Sequence, residues 1–181
     1  MLLPHVYLSS ATSIDAAFLR ARAIEGLLLD IDGTLKDFAA LTVPLPVVHW
    51  LKQLDRSGIR MCLFSNGRTA RIATLASQLG LPFVAEAMKP SPAGCRRGLE
   101  ILQLPPRKVA VIGDQIFADI LAGRLAGLQT VLVRPTSRVE PWFTRLKRPF
   151  EAPILLMLRG RLDADVRPSL LRCASTACEP R

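Results

Sequence analysis

The chain alternates short, wholly apolar runs with longer segments whose apolar residues recur every three or four positions. Leu27-Leu28-Leu29-Asp30-Ile31 is the first such run. It is too short for a helix, is bounded by Gly26 and Gly33, and reads as a buried parallel strand. Residues 46–57 place Val47, Trp50, Leu51 and Leu54 at helical spacing, with Pro46 suited to the first helical position and Gly58 to the C-terminal cap. Ile59 to Phe64 predicts a second buried strand. Residues 68–79 predict a helix with Ile72, Leu75, Ala76 and Leu79 on one face and Gly80 at its end. Pro82-Phe83-Val84-Ala85 is a third, weaker strand, and Ser91-Pro92 opens a helix through about Gln103. Val109-Ala110-Val111-Ile112 is a fourth strand. Residues 115–126 predict a helix with Ile116, Ile120 and Leu121 inward, and Thr130-Val131-Leu132-Val133 a fifth strand.

Strands alternating with helices predict a Rossmann-like, doubly wound α/β fold with a mostly parallel, five-stranded sheet. Ten residues separate Leu35 from Pro46, and one helix lies between the second and third strands, so no large cap domain is expected. The pattern breaks where Pro135, Pro141, Pro149 and Pro153 punctuate the chain. The expected organisation is one domain over residues 1–151 and a C-terminal extension over 152–181, apolar and basic at first and then a disordered polar tail.

In an open parallel sheet, ligands bind beyond the carboxyl ends of the strands. Asp30-Ile31-Asp32-Gly33-Thr34 stands there after the first strand and Ser65-Asn66-Gly67 after the second. Lys89-Pro90 precedes the third helix, and Gly113-Asp114, with Asp119 five residues on, follows the fourth strand. This set suits phosphoryl transfer through an aspartyl-phosphate. Asp30 would be the nucleophile and Asp32 the general acid and base. Gly33, Thr34, Ser65, Asn66 and Lys89 would surround the phosphoryl oxygens, Ser65 and Lys89 most directly. Asp30, Asp32 and Asp114 form the expected magnesium set, with Asp119 supporting Lys89 or a metal-bound water. Alone, Ser65 reads equally as a helix N-cap, and Lys89 reads as an ordinary surface lysine.

The motifs, in this order and each behind its strand, resemble the haloacid dehalogenase superfamily of phosphatases. Met1-Leu2-Leu3-Pro4 with Ser13-Ile14, Gly113-Asp114-Gln115-Ile116-Phe117-Ala118-Asp119 and Trp142-Phe143-Thr144-Arg145 look like the YqeG-type members of subfamily IIIA. That branch is similar to mitochondrial phosphatidylglycerophosphate phosphatases. Gly33 departs from the branch, which more often carries asparagine there, and Lys36-Asp37 is unusual just after the first motif. The resemblance implies a magnesium-dependent phosphomonoesterase acting on phosphatidylglycerophosphate or a similar anionic phospholipid. The rival readings are a phosphatase of a soluble phosphometabolite, covered by oligomerisation, and a binding protein that keeps the fold without turnover.

Charge sharpens the lipid reading. The formal net charge is +9, and residues 134–161 hold seven basic and two acidic side chains. An anionic partner is expected, a phosphorylated substrate or an anionic membrane surface rather than nucleic acid. No apolar run is long enough to span a bilayer, and no secretory signal opens the chain. Cys62, Cys95, Cys173 and Cys178 make no disulfide framework. The expected location is the cytoplasm, peripheral to the inner membrane face.

Overall fold

The computed structural model describes residues 3–136. Six parallel strands form one sheet: β1 (Val6–Leu8), β2 (Gly26–Leu29), β3 (Arg60–Phe64), β4 (Phe83–Val84), β5 (Val109–Gly113) and β6 (Gln129–Val133). Their spatial order is β1-β6-β5-β2-β3-β4. The α/β class, the parallel sheet and the helical connections agree with the sequence reading. The strand count does not: five were expected, and β1 is the sixth. It spans three residues, pairs on one side only, with β6, and sits at the sheet edge. So short a strand shows no period to read.

Side chains alternate across the sheet with period two. Leu27, Leu29, Met61, Leu63, Ala110 and Ile112 face one helical layer, formed by α1 (Ala16–Ala21), α2 (Leu45–Arg56) and α3 (Thr69–Leu79). Leu28, Cys62, Phe64, Val109 and Val111 face the other layer, with α4 (Ala93–Leu102) and α5 (Leu121–Leu125). Both faces are therefore buried, which explains why the strands read as unbroken apolar runs. In α2, Trp50, Leu51 and Leu54 point inward, and the Trp50 indole N–H donates to Ile14 O at 2.6 Å. α3 ends at Gly80 in the left-handed conformation (φ +67°), as its sequence predicts.

The helix expected over 115–126 is two pieces. Residues Ile116–Ile120 form a π-helical turn, and α5 follows. The wider turn rotates what comes after it, so Ala122 is buried while Leu121 is only half-buried. Ile116 and Ile120 do point inward, against Leu132.

Among the described residues no helix is long and apolar enough to cross a membrane. The stretch from Leu35 to α2 holds no inserted domain. The expectations placed on the boundary at 151, the extension 152–181, Trp142 and Phe143, the basic residues from Arg138 to Arg161, and Cys173 and Cys178 lie outside the described residues.

Candidate active site

The chain reverses its direction of travel across the sheet between β2 and β5, which are neighbours in space but far apart in sequence. The register aligns Leu29 with both Leu63 and Ile112. Strands β2, β3 and β5 thus end nearly level, and Asp30, Ser65 and Asp114 emerge side by side at the crevice where such sheets bind ligands.

The first loop is wound tightly. Ile31 O accepts from the N–H groups of Thr34, Leu35 and Lys36, and Gly33 N–H donates to Lys36 O at 2.8 Å. Gly33 has φ +90°, and a Cβ there would lie 2.8 Å from Asp114 Oδ2. Only glycine combines this backbone with so close an approach of the two loops. Gly113 does the same for the π-helical turn: a Cβ would come within 2.2 Å of Asp119 Cγ.

Lys89 joins the loops. Its side chain is 4% exposed. Its ammonium donates to Asp30 Oδ1 at 2.5 Å, to Asp119 Oδ1 at 2.6 Å and to Phe64 O at 3.1 Å. All three of its protons are thereby used. Burial alone would lower its pKa, but the two carboxylates hold it above the ordinary lysine range. Asn66 fixes the backbone beneath: Lys89 N–H donates to Asn66 Oδ1 at 2.8 Å, and Asn66 Nδ2 donates to Lys89 O at 3.2 Å. The loop leading to Lys89 carries left-handed Glu86 and Met88. Glu86 also accepts from Thr69 N–H and Oγ1–H, capping α3.

Asp30, Asp114 and Asp119 are all buried, and one oxygen from each lies within 4.8 Å of the others. Burial pushes the Asp30 carboxyl up to about 7, against the pull of Lys89. Its Oδ2 is buried without a hydrogen-bond partner. The Thr34 hydroxyl lies close enough to favour the ionised form of Asp30, outside hydrogen-bond geometry. Three carboxylates, two of them paired with the Lys89 ammonium, are all hard oxygen donors, and with Asp30 Oδ2 bare they fit a hard divalent cation.

Asp32 is placed differently. Its carboxylate does not join the three acids. It accepts from Lys36 Nζ at 2.7 Å and from both terminal nitrogens of Arg71. Burial pushes the Asp32 carboxyl up, but the hydrogen bonds and charges of Arg71 and Lys36 outweigh it and hold the pKa below the ordinary value. Lys36 is itself 2% exposed, its remaining protons going to Asp37 O and Ala40 O. Ser65 is buried, and its hydroxyl accepts from Gly67 N–H at 3.0 Å. The N-cap position of α3 is held by Arg68, which makes no side-chain capping bond, so Ser65 is not an N-cap.

Sequence reasoning missed Lys36 and Arg71 as partners of Asp32. The odd Lys36-Asp37 pair after the first motif was a signal, since a lysine there has a carboxylate four residues back. Arg71 gave none, because it reaches Asp32 across the gap between α3 and the first loop.

Comparison with known proteins agrees with this geometry. The haloacid dehalogenase-like hydrolase family model matches residues 16–127. The chain is 29% identical over 159 residues to "Probable phosphatase YqeG" of Bacillus subtilis, covering 88% of this chain and 92% of the relative. It is 28% identical over 177 residues to "Phosphatidylglycerophosphate phosphatase 1, chloroplastic/mitochondrial" of Arabidopsis thaliana, covering 92% of this chain and 50% of that longer relative. Its fold is similar to a Xanthomonas campestris protein (TM-score 0.52, 21% identity, 76% of this chain and 78% of that one). It is also similar to deoxy-D-mannose-octulosonate 8-phosphate phosphatase of Haemophilus influenzae (TM-score 0.51, 17% identity, 62% and 69%). With a family model spanning most of the described residues, and the acids, lysine and hydroxyl gathered at one sheet edge, the chain belongs to the haloacid dehalogenase-like hydrolases.

Proposed function

We propose that this phosphatase of the haloacid dehalogenase family is a magnesium-dependent phosphomonoesterase that works through a phosphorylated Asp30. The observation carrying the reading is the buried Asp30 carboxylate, held on one oxygen by Lys89 and bare on the other, beside Asp114. In the first half-reaction a bond forms from Asp30 to phosphorus and the bond from phosphorus to the leaving oxygen breaks. Asp32 gives that oxygen a proton. In the second, Asp32 takes a proton from water, the water oxygen bonds to phosphorus, and the Asp30–phosphorus bond breaks to release phosphate.

Lys89 fixes the nucleophile and offers its charge to the phosphoryl oxygens, and Ser65 stands at the neighbouring strand end. Thr34 lies beside Asp30, while Asn66 acts through Lys89, whose backbone it clamps. Asp30 and Asp114 would hold magnesium, with Asp119 joining them or orienting Lys89. When bound, the ion neutralises charge on the transferring group. Asp32 is held ionised by Arg71 and Lys36, a state suited to accepting the water proton. To protonate the leaving oxygen it must give up part of that pairing, and half-exposed Arg71 is the partner free to move.

The substrate class we propose is phosphatidylglycerophosphate or a similar anionic phospholipid. Three observations support it: the similarity to a phosphatase named for that lipid, the absence of a cap among the described residues, and the basic residues of 134–161. The last would place the protein peripherally on an anionic membrane. The test is phosphate release by purified full-length protein from a panel of phosphorylated lipids and soluble phosphometabolites. Release from metabolites alone would leave the phosphatase and remove the lipid.

A further inference from the structure

A cleft of about 330 Å³ opens beside Asp32, between the loop after the first motif and α3. Its walls include Lys36, Leu41, Thr42, Arg71, Ile72 and Leu75. Two of these, Lys36 and Arg71, are the partners of the Asp32 carboxylate. A group that protonates the leaving oxygen must come within hydrogen-bond reach of it. Whatever departs from phosphorus therefore passes the two cations that Asp32 and the cleft share.

The lining chemistry is one-sided. Among the described residues its walls are apolar apart from the hydroxyls of Thr42 and Thr74 and one glutamine amide, its charges are both positive, and no acidic side chain lines it. Lys36 has all three protons committed inside the protein. Arg71 has not: its two terminal nitrogens engage Asp32, and a guanidinium carries five N–H donors. Its side chain is 49% exposed. Leu41, at the cleft, is 91% exposed, so apolar surface continues out of the cleft into solvent. A neutral, fully polar alcohol would accept from those donors only without charge assistance and would leave the apolar wall uncovered.

We propose that this cleft is the leaving-group site, and that it selects phosphomonoesters whose alcohol carries a second anionic group for Arg71 and an apolar portion for the Leu41–Ile72 wall. Arg71 is thus a specificity-determining residue. This rests on the phosphatase reading above and deepens it. A glycerophospholipid head group has this chemistry, and so does a soluble organic polyanion; the substrates in the test separate the two sources.

The test compares wild type with Arg71→Gln, Arg71→Lys and Thr74→Trp, the last filling the cleft from an exposed position on α3. Three soluble substrates are used with magnesium: glycerol 1-phosphate, glycerophosphoglycerol phosphate, and its dihexanoyl ester. All three release an alkyl alcohol of similar basicity, so any disturbance of Asp32 cancels in the ratio of kcat/KM to that for glycerol 1-phosphate. The expected result is a fall of about ten-fold or more in that ratio for both anionic esters in Arg71→Gln, expressed in KM, with partial recovery in Arg71→Lys. Thr74→Trp is expected to lower the ratio about ten-fold for the dihexanoyl ester. An equal loss for the unacylated ester assigns the cleft to a soluble polyanion. Turnover of all three substrates with ratios held within about three-fold in the variants overturns the subsite and leaves the phosphatase standing. Turnover of none by wild type overturns both. If Arg71→Gln shows no cooperative unfolding transition, Arg71→Lys and Thr74→Trp decide.

Discussion

The Lys89 ammonium lies 2.5 Å from Asp30 Oδ1 and 2.6 Å from Asp119 Oδ1, with all three side chains buried. One cation therefore ties Asp30, at the end of β2, to the turn after β5. Removing it strands two carboxylates out of water. Lys89→Met is expected to cost about 3–5 kcal/mol of stability, the penalty for breaking a buried ion pair from one side. Urea unfolding of the metal-free protein measures this, and a loss below about 1 kcal/mol would contradict the burial seen here.

Asp30→Asn keeps the side-chain volume but removes the proposed nucleophile. Phosphate release is expected to fall to background while the variant unfolds cooperatively. Asp32→Asn is expected to slow turnover by roughly 10²–10⁴-fold, the range for losing a general acid and base. A folded Asp30→Asn protein with near wild-type turnover would end the covalent mechanism.

Stability of the chelator-treated protein is expected to depend on pH through Asp30. Its folded pKa of about 7 is raised above the ordinary aspartate value of 3.8, so the folded state holds the proton more tightly. That contribution is full below the unfolded value and is lost as pH rises through about 7. Burial and Arg124 lower the pKa of His5, which adds a slope of opposite sign as pH falls through its unfolded value. The informative quantity is the wild-type slope minus that of Asp30→Asn, whose side chain does not titrate. Between pH 5 and 7 that difference is expected to be negative and at most about 1.4 kcal/mol per pH unit. A difference of zero would mean Asp30 stays ionised beside Lys89.

Activity is expected to vanish with a chelator and return with magnesium, and calcium to inhibit, because its looser coordination disturbs in-line geometry. Gly33→Ala places a methyl 2.8 Å from Asp114 Oδ2 at a φ of +90°. It is expected to raise the magnesium concentration needed for half-maximal activity and to cost about 1–3 kcal/mol of stability. Magnesium titration of both proteins checks this, and full activity in excess chelator would reject the metal.

The basic segment offers a separate measurement. The full chain is expected to bind anionic but not neutral liposomes, less so as salt rises, each basic group near the surface being worth about 1 kcal/mol. Charge reversal at Arg145, Lys147 and Arg148 should abolish sedimentation with anionic vesicles. Unchanged sedimentation would remove the membrane and favour a soluble substrate.

Much of this protein is written locally. Buried parallel strands must be apolar on both faces, so Leu27 to Leu29, Met61 to Phe64 and Val109 to Ile112 declare themselves as unbroken runs. The polar residues that follow them, Asp30, Ser65 and Asp114, stand out because the carboxyl ends of the strands are where an open parallel sheet meets its ligand. What the tertiary structure decided is how those groups are paired. Arg71 meets Asp32 across 39 positions of sequence and Lys89 meets Asp30 across 59, distances over which no periodicity or propensity carries information. The π-helical turn that buries Asp119 depends on Gly113, at the end of β5, leaving room for its carboxyl, a close approach that no apolar period shows. Strand β1 is three residues that pair, among the described residues, with β6, stable only because the sheet already exists to receive it.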